Sequence, residues 1–417
     1  MTFSRKQLYL FISFISLIKI GFLLAFNPAM EYYEDHDIAV NLMHTGEFYL
    51  DWDGVRNHTF QFPVYPFLIS LLYSLFGIKT LAVSLFHILL NTLSAFMLAK
   101  IFSFFWRLFS LPPHFEQHKN VVIFGSVLLF CIHPGIAYYA IYKVHPFSLD
   151  LFMLLLPLFL TSYYFSGPNN WKLLLLFLCA SLAVLTRATL LVSLLPFLTI
   201  IWRQRGLTRA VLAFSGLALT VSIVCAPWLF RNYQQDHILG FASLSGKELW
   251  KGSLQASEGS NYLVDGRDCY QILTKKEKDS LVQMTVAGQD AFYKDLYKKN
   301  LRTNPLRQVK LYFVKLKNFW LFRSLLGNEY GPRARYFLPF YVTGYLLILL
   351  LSLYGAYRIG RKSLFLFQIP VVLSLGQSLF YVETRHRMIT EPLLIFIALL
   401  GCLFILCRER NQVKENP

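Results

Sequence analysis

The sequence predicts an all-α polytopic membrane protein with about ten transmembrane helices, one re-entrant or interfacial helix and a small extracytoplasmic helical insert. Three observations predict it. Hydrophobic residues make up 55% of the chain and aromatics 17%, and mean hydropathy is +0.46, which few soluble domains approach. Apolar runs of membrane-crossing length recur along the chain. Lys and Arg, which give a net charge of +17, flank those runs, as the positive-inside rule requires. That placement points to the lipid bilayer as partner and away from nucleic acid.

The first element is Leu8–Phe26, preceded by Arg5 and Lys6. It is long for a signal-peptide core and lacks a small-x-small cleavage site, so it is expected as an uncleaved span. A loop at 27–63 follows, with Glu31, Glu34, Asp35 and Asp37 close together. Pro66–Phe76 is about eleven residues long, too short to span. It is expected as the re-entrant or interfacial helix, with Pro63 and Pro66 at its start, where proline is tolerated. Further spans are expected at Leu81–Phe105, Val121–Tyr142, Phe147–Phe165, Leu173–Thr186, Ala188–Trp202, Ala210–Phe230, Tyr336–Tyr357, Ser363–Val382 and Ile389–Cys407. The two short ones flank Arg187 and are expected as half-length helices meeting at a polar break. In the insert, the stretch 277–320 reads as two amphipathic helices broken at Asn304-Pro305 and lying on the membrane surface. Three regions result: an N-terminal transmembrane module at 1–230, the insert at 231–335, and C-terminal spans with a short tail at 336–417.

With both termini cytoplasmic, every short inside loop carries Lys or Arg. The acidic loop, Arg187, the insert and the loop 383–388 then share the outer face. The expected setting is the inner membrane of a bacterium, with the active site outside. Five of the six cysteines lie in or beside apolar runs, and no Cys/His pair has zinc-ligand spacing. There is no Walker loop, dinucleotide glycine fingerprint or nucleophile elbow.

Acid clusters are costly near a bilayer, which marks Glu31, Asp35 and Asp37 as candidate functional groups. In a helix starting at Glu31, Glu34 and Asp35 would share its face and Asp37 would turn away. Such carboxylates can take a proton from an incoming hydroxyl or orient it; a solvated turn at a span end is the plainer reading. Arg187 interrupts an apolar stretch, and its forked donors suit a phosphate, although snorkelling to headgroups would also explain it. Arg231 ends a span beside Trp228 and Tyr233, where it can hold a phosphate or anchor the helix. Arg385, His386 and Arg387 converge in one short outer loop suited to a lipid-linked phosphate, although ordinary headgroup contact would also explain them.

Seven short pieces in order carry a resemblance. They are Glu31 with Ala39-Val40-Asn41-Leu42; Pro63-Val64-Tyr65-Pro66; Leu185-Thr186-Arg187-Ala188; Pro227-Trp228-Leu229-Phe230-Arg231-Asn232-Tyr233; Gly246-Lys247-Glu248-Leu249-Trp250-Lys251-Gly252; Asn304-Pro305 with Lys315-Leu316-Lys317-Asn318-Phe319-Trp320; and Glu383-Thr384-Arg385-His386-Arg387. Together they resemble the GT-C superfamily of integral membrane glycosyltransferases, in the branch of protein O-mannosyltransferases and aminoarabinose–lipid A transferases. The resemblance implies a GT-C-type helical bundle and inverting transfer of a sugar from a polyprenyl-phosphate donor to a glycan, lipid or protein acceptor. It implies a loop acid as base, which falls on Glu31, or on Asp35 or Asp37 if the loop is shifted. It implies arginines on the donor phosphate, here Arg187, Arg231, Arg385 and Arg387, and neither metal nor cofactor. The rival readings are a lipid-linked-substrate transporter or flippase, or an inactive relative acting as an assembly partner. The sequence shows no internal repeat and few mid-span charges, which favours an interfacial enzyme over a transporter.

Overall fold

The computed structural model describes residues 4–52, 54–323, 336 and 338–415, with the side chains of 5 and 408–415 outside that description. The end of the expected insert, 324–335, therefore lies outside the described residues. The fold is all-α apart from one hairpin of three-residue strands, β1 (Leu50–Trp52) and β2 (Val55–Asn57), paired antiparallel. Among the described residues, six segments are long and apolar enough to cross a bilayer, and three shorter apolar helices accompany them. The chain is an integral membrane protein.

The N-terminal module runs through α1 (Arg5–Phe26), α2 (Glu34–Thr45), α3 (Val64–Phe76), α4 (Thr80–Phe109), α5 (Lys119–Cys131), α6 (Pro134–Tyr142), α7 (Phe147–Phe165), α8 (Asn170–Thr186), α9 (Leu195–Arg205) and α10 (Leu207–Asp236). The expected single span Val121–Tyr142 is two helices. Pro134 has no amide hydrogen to continue α5, so a new helix starts there, capped by His133 Nδ1 accepting from the Ile136 amide at 3.3 Å. At the other expected break, α8 ends on Arg187 in extended conformation, and 3-10 turns over Ala188–Leu194 lead into α9.

Two packing features hold the spans. Phe102 of α4 stacks on Phe396 with centroids 4.4 Å apart, both fully buried. Offset aromatic pairs of this kind add about 0.5–1.5 kcal/mol beyond their burial. The helices α15 (Leu338–Ile359) and α18 (Glu391–Glu415) cross at Gly355 and Gly401. A Cβ on Gly355 would collide with the Ile397 carbonyl, and one on Gly401 with that of Leu351. Small residues permit this backbone approach, which is how membrane helices pack without a hydrophobic drive between them. Between these two lie α16 (Leu364–Gln377) and the short α17 (Thr384–Met388).

The insert contains α11 (Ser245–Ser253), α12 (Lys275–Val282), α13 (Val286–Thr303) and α14 (Pro305–Trp320). Asn304 caps α14 with Pro305 in its first turn, so the proline break falls where the sequence suggests. One face of α14 presents Leu306, Val309 and Phe313, all more than half exposed, as a surface-lying helix would. The opposite face departs from expectation: Lys315 is buried and donates to the Gly252 and Phe380 carbonyls at 2.8 and 2.9 Å. That lysine joins the insert to the loop that carries Glu383 and Arg385.

Candidate active site

The acidic loop begins in extended conformation. Glu31 forms a parallel bridge with Lys143: its amide donates to the Tyr142 carbonyl at 2.8 Å, and its carbonyl accepts from the Val144 amide at 2.9 Å. Its carboxylate is ion-paired with Lys143, whose amine also donates to the Tyr33 hydroxyl at 2.8 Å. The helix therefore starts at Glu34, three residues later than the face argument from Glu31 assumes. Glu34, Asp35 and Asp37 occupy its first turn, where the helix dipole favours carboxylates. Of these, Asp35 is buried (4% exposed), while Asp37 is exposed. Burial pushes the Asp35 carboxyl well above the usual range; Glu34 and Asp150 push the same way and Arg187 opposes them.

Arg187 is placed by the break between α8 and the 3-10 turns. Its Nε lies 3.0 Å from Asp150 Oδ2 in the first turn of α7, and its side chain is 29% exposed. Among the described residues it has no other ion pair or side-chain hydrogen bond. Asp150 Oδ1 is buried and unpartnered among the described residues.

Arg385 comes from the far end of the sequence. Its Nη2 pairs with Glu383 at 2.8 Å and donates to the Tyr381 hydroxyl at 3.2 Å. Its Nε is buried without a hydrogen-bond partner among the described residues, and Nη1 lies 3.4 Å from His145 Nε2. His145 Nδ1 also accepts the Phe147 amide at 3.1 Å. Burial, with Arg385, Arg187 and Lys143 nearby, holds His145 well below its usual pKa, and so neutral. Burial and the same two arginines also keep His386 neutral. Burial pushes Tyr33 up to about 12, with Arg385 opposing. Arg187 thus acts on both Asp35 and His145, and Arg385 on both His145 and Tyr33.

The other two expected phosphate ligands lie elsewhere. Arg231 donates to the carbonyls of His58 and Phe48 and to Asn232 Oδ1, over the Trp228 ring. It fastens the first loop to the end of α10. Arg387 is completely buried. Its guanidinium pairs with Glu391 at 3.0 Å and donates to the Phe319 and Leu321 carbonyls and the Tyr341 hydroxyl. Glu391 also holds His133 at 2.9 Å.

Lys143, Asp150, Tyr33, His145 and Glu383 are not among the site residues that the sequence suggests, although Glu383 opens one of the seven pieces that carry the resemblance. Asp150 carried a usable signal, as an acid inside an apolar span. Lys143 and Tyr33 carried none, because their roles depend on a pairing 112 and 110 residues away in the chain. Among the described residues no cluster of three His, Cys, Asp or Glu forms a metal site.

No family model and no curated protein sequence matches the chain. Its fold is similar to two crystal structures of ArnT from Cupriavidus metallidurans. The one bound to undecaprenyl phosphate has 12% sequence identity and a TM-score of 0.42, covering 95% of this chain and 77% of that one. The one in the apo state has 14% identity and a TM-score of 0.36, covering 94% and 76%.

Proposed function

We propose that the chain is an inverting membrane glycosyltransferase that moves a sugar from a polyprenyl-phosphate donor to a hydroxyl-bearing acceptor at the outer face of the membrane. The observation that carries this reading is the buried Asp35 carboxyl under the influence of Arg187, a guanidinium with a single ion-pair partner among the described residues. A base for a hydroxyl and a cation for a released phosphate are what single displacement at an anomeric carbon needs.

In the proposed step the acceptor oxygen bonds to the anomeric carbon on the face opposite the phosphate. The bond from that carbon to the phosphate oxygen breaks, and its electron pair stays on the polyprenyl phosphate. The acceptor proton goes to the carboxylate of Asp35. The leaving group is already stable as an anion, so no general acid is required. Arg187 and Arg385 stabilise its charge, an effect large in a dry site. Glu31, tied to Lys143 and Tyr33, orients the loop. Asp37 lies at the exposed rim, where an acceptor would arrive. Arg231 and Arg387 act on the framework and not on the phosphate.

Turnover of a polyprenyl-phosphate sugar pool by purified protein in liposomes tests this, with free polyprenyl phosphate as the readout. Wild type should release it; Asp35→Asn should not, while retaining donor binding. Equal release by both proteins would remove Asp35 from the chemistry. Movement of the donor between leaflets without release would identify a flippase.

A further inference from the structure

We propose that a cleft at the opposite membrane face from the reaction site binds the anionic headgroup of a glycerophospholipid. The cleft has a volume of about 310 Å³ and lies between the start of α1, the last third of α4 and the start of α5. From this end of α1, the 22-residue helix rises about 33 Å before the chain reaches Glu31. That is about the thickness of a bilayer's hydrocarbon core. A ligand here sits in the other leaflet from the proposed donor and is a separate molecule.

The walls match an amphiphile by depth. Ser4, Glu116, Lys119 and Asn120 line the cleft at the helix ends. One helical turn deeper along α1 and α5, Leu8, Tyr9, Ile123 and Phe124 line it. Beside them α1 turns Leu10, Phe14 and Leu17 outward, all more than half exposed, a surface along which acyl chains can lie.

Charge selects the headgroup. Glu116, the one acid in the wall, has both oxygens engaged: Lys119 donates to one at 2.7 Å, and Trp106 Nε1 to the other at 2.8 Å. Lys100 is exposed and forms no ion pair among the described residues, so the cleft carries one uncompensated cation. Ser103 stands one turn beyond Lys100 on α4 with a hydroxyl to donate, and Arg107 continues that face by another turn. A phosphodiester with a glycerol headgroup supplies the matching negative charge and hydroxyls. A zwitterionic choline headgroup would bring its own cation against Lys100.

The test uses the full chain purified in detergent, delipidated, and offered phosphatidylglycerol or phosphatidylcholine. Bound lipid is read by native mass spectrometry, and thermal unfolding is followed alongside. Wild type should retain phosphatidylglycerol at least fivefold over phosphatidylcholine and unfold at higher temperature with it. Lys100→Glu should lose that preference. Ser103→Phe, which fills the cleft and keeps the lysine, should lose it as well and guards against misfolding of the charge variant. Equal retention of phosphatidylglycerol by wild type and both variants would overturn the proposal. Displacement of the lipid by millimolar glycerol 3-phosphate would also overturn it, assigning the cleft to soluble phosphate esters.

Discussion

Arg187 Nε lies 3.0 Å from Asp150 Oδ2, an ion pair that fixes the guanidinium at the end of α8 against the first turn of α7. One edge of the fork is held, and among the described residues no other side chain claims the rest. Arg187→Ala should lower turnover by about 10²–10³-fold, the cost of removing one preorganised charge-stabilising donor. Arg187→Lys should recover only part of it, because an ammonium cannot pair with Asp150 and a phosphate as a planar fork does. Asp150→Asn should raise KM for the donor more than it lowers kcat. Steady-state kinetics in liposomes separates these outcomes.

Asp35 must be ionised to accept a proton, and burial raises its pKa well above the usual carboxylate range. Activity should therefore increase with pH through a single limb displaced above that range. Glu31→Gln should lower turnover and leave the position of the limb unchanged, since Glu31 is held by Lys143 and is not the proposed base. A limb that moves with Glu31→Gln would transfer the base to that residue. The pH–kcat profile of the two proteins decides it.

Arg387 and Glu391 form a fully buried pair, with His133 and Tyr341 on the same carboxylate. Removing one partner strands the other charge, which costs about 3–5 kcal/mol in buried pairs. Arg387→Met should lower the unfolding temperature in detergent sharply, and Arg387→Met with Glu391→Leu should be less damaging than the sum of the single changes. Arg385→Lys, two residues away, keeps a cation beside the buried Glu383, so it should leave the unfolding temperature closer to wild type than Arg387→Met does while lowering turnover. Differential scanning fluorimetry beside the turnover assay measures both.

Burial lowers Lys315 from 10.5 to about 8. Between about pH 8 and 10.5 the unfolded chain therefore binds more protons than the folded one, and stability rises with pH across that window. Below pH 8 the buried amine is charged in both states, and its burial penalty is constant. Wild type should gain stability relative to Lys315→Met as pH climbs from 8 to 10.5, with no relative change from 6 to 7. Denaturant unfolding at four pH values tests the sign.

The acidic cluster shows where sequence reading stops. The sequence marks four carboxylates within seven positions, and their proximity is local information. It does not say that Glu31 leaves the helix, because that follows from backbone pairing with Lys143, more than a hundred residues on. The four arginines behave alike: each is marked by its place at a span end. Which one has donors to spare depends on partners such as Asp150, Glu391 and the His58 carbonyl, contributed by other helices.

By itself the sequence determined the all-α polytopic membrane class, the short helix after Pro63, the break at Arg187 and the break at Asn304-Pro305. Each follows from hydropathy over about 20 residues or from a backbone restriction at one residue. The His133-Pro134 break is equally local, but hydropathy does not show it, because the runs on both sides are apolar. Only the tertiary structure decided that Asp35 is the buried acid of the loop, that Lys315 is a clamp, and that Arg387 is locked while Arg187 is held, among the described residues, by Asp150 alone. Burial and charge pairing are properties of what surrounds a side chain, and in a helical bundle those surroundings come from helices distant in sequence.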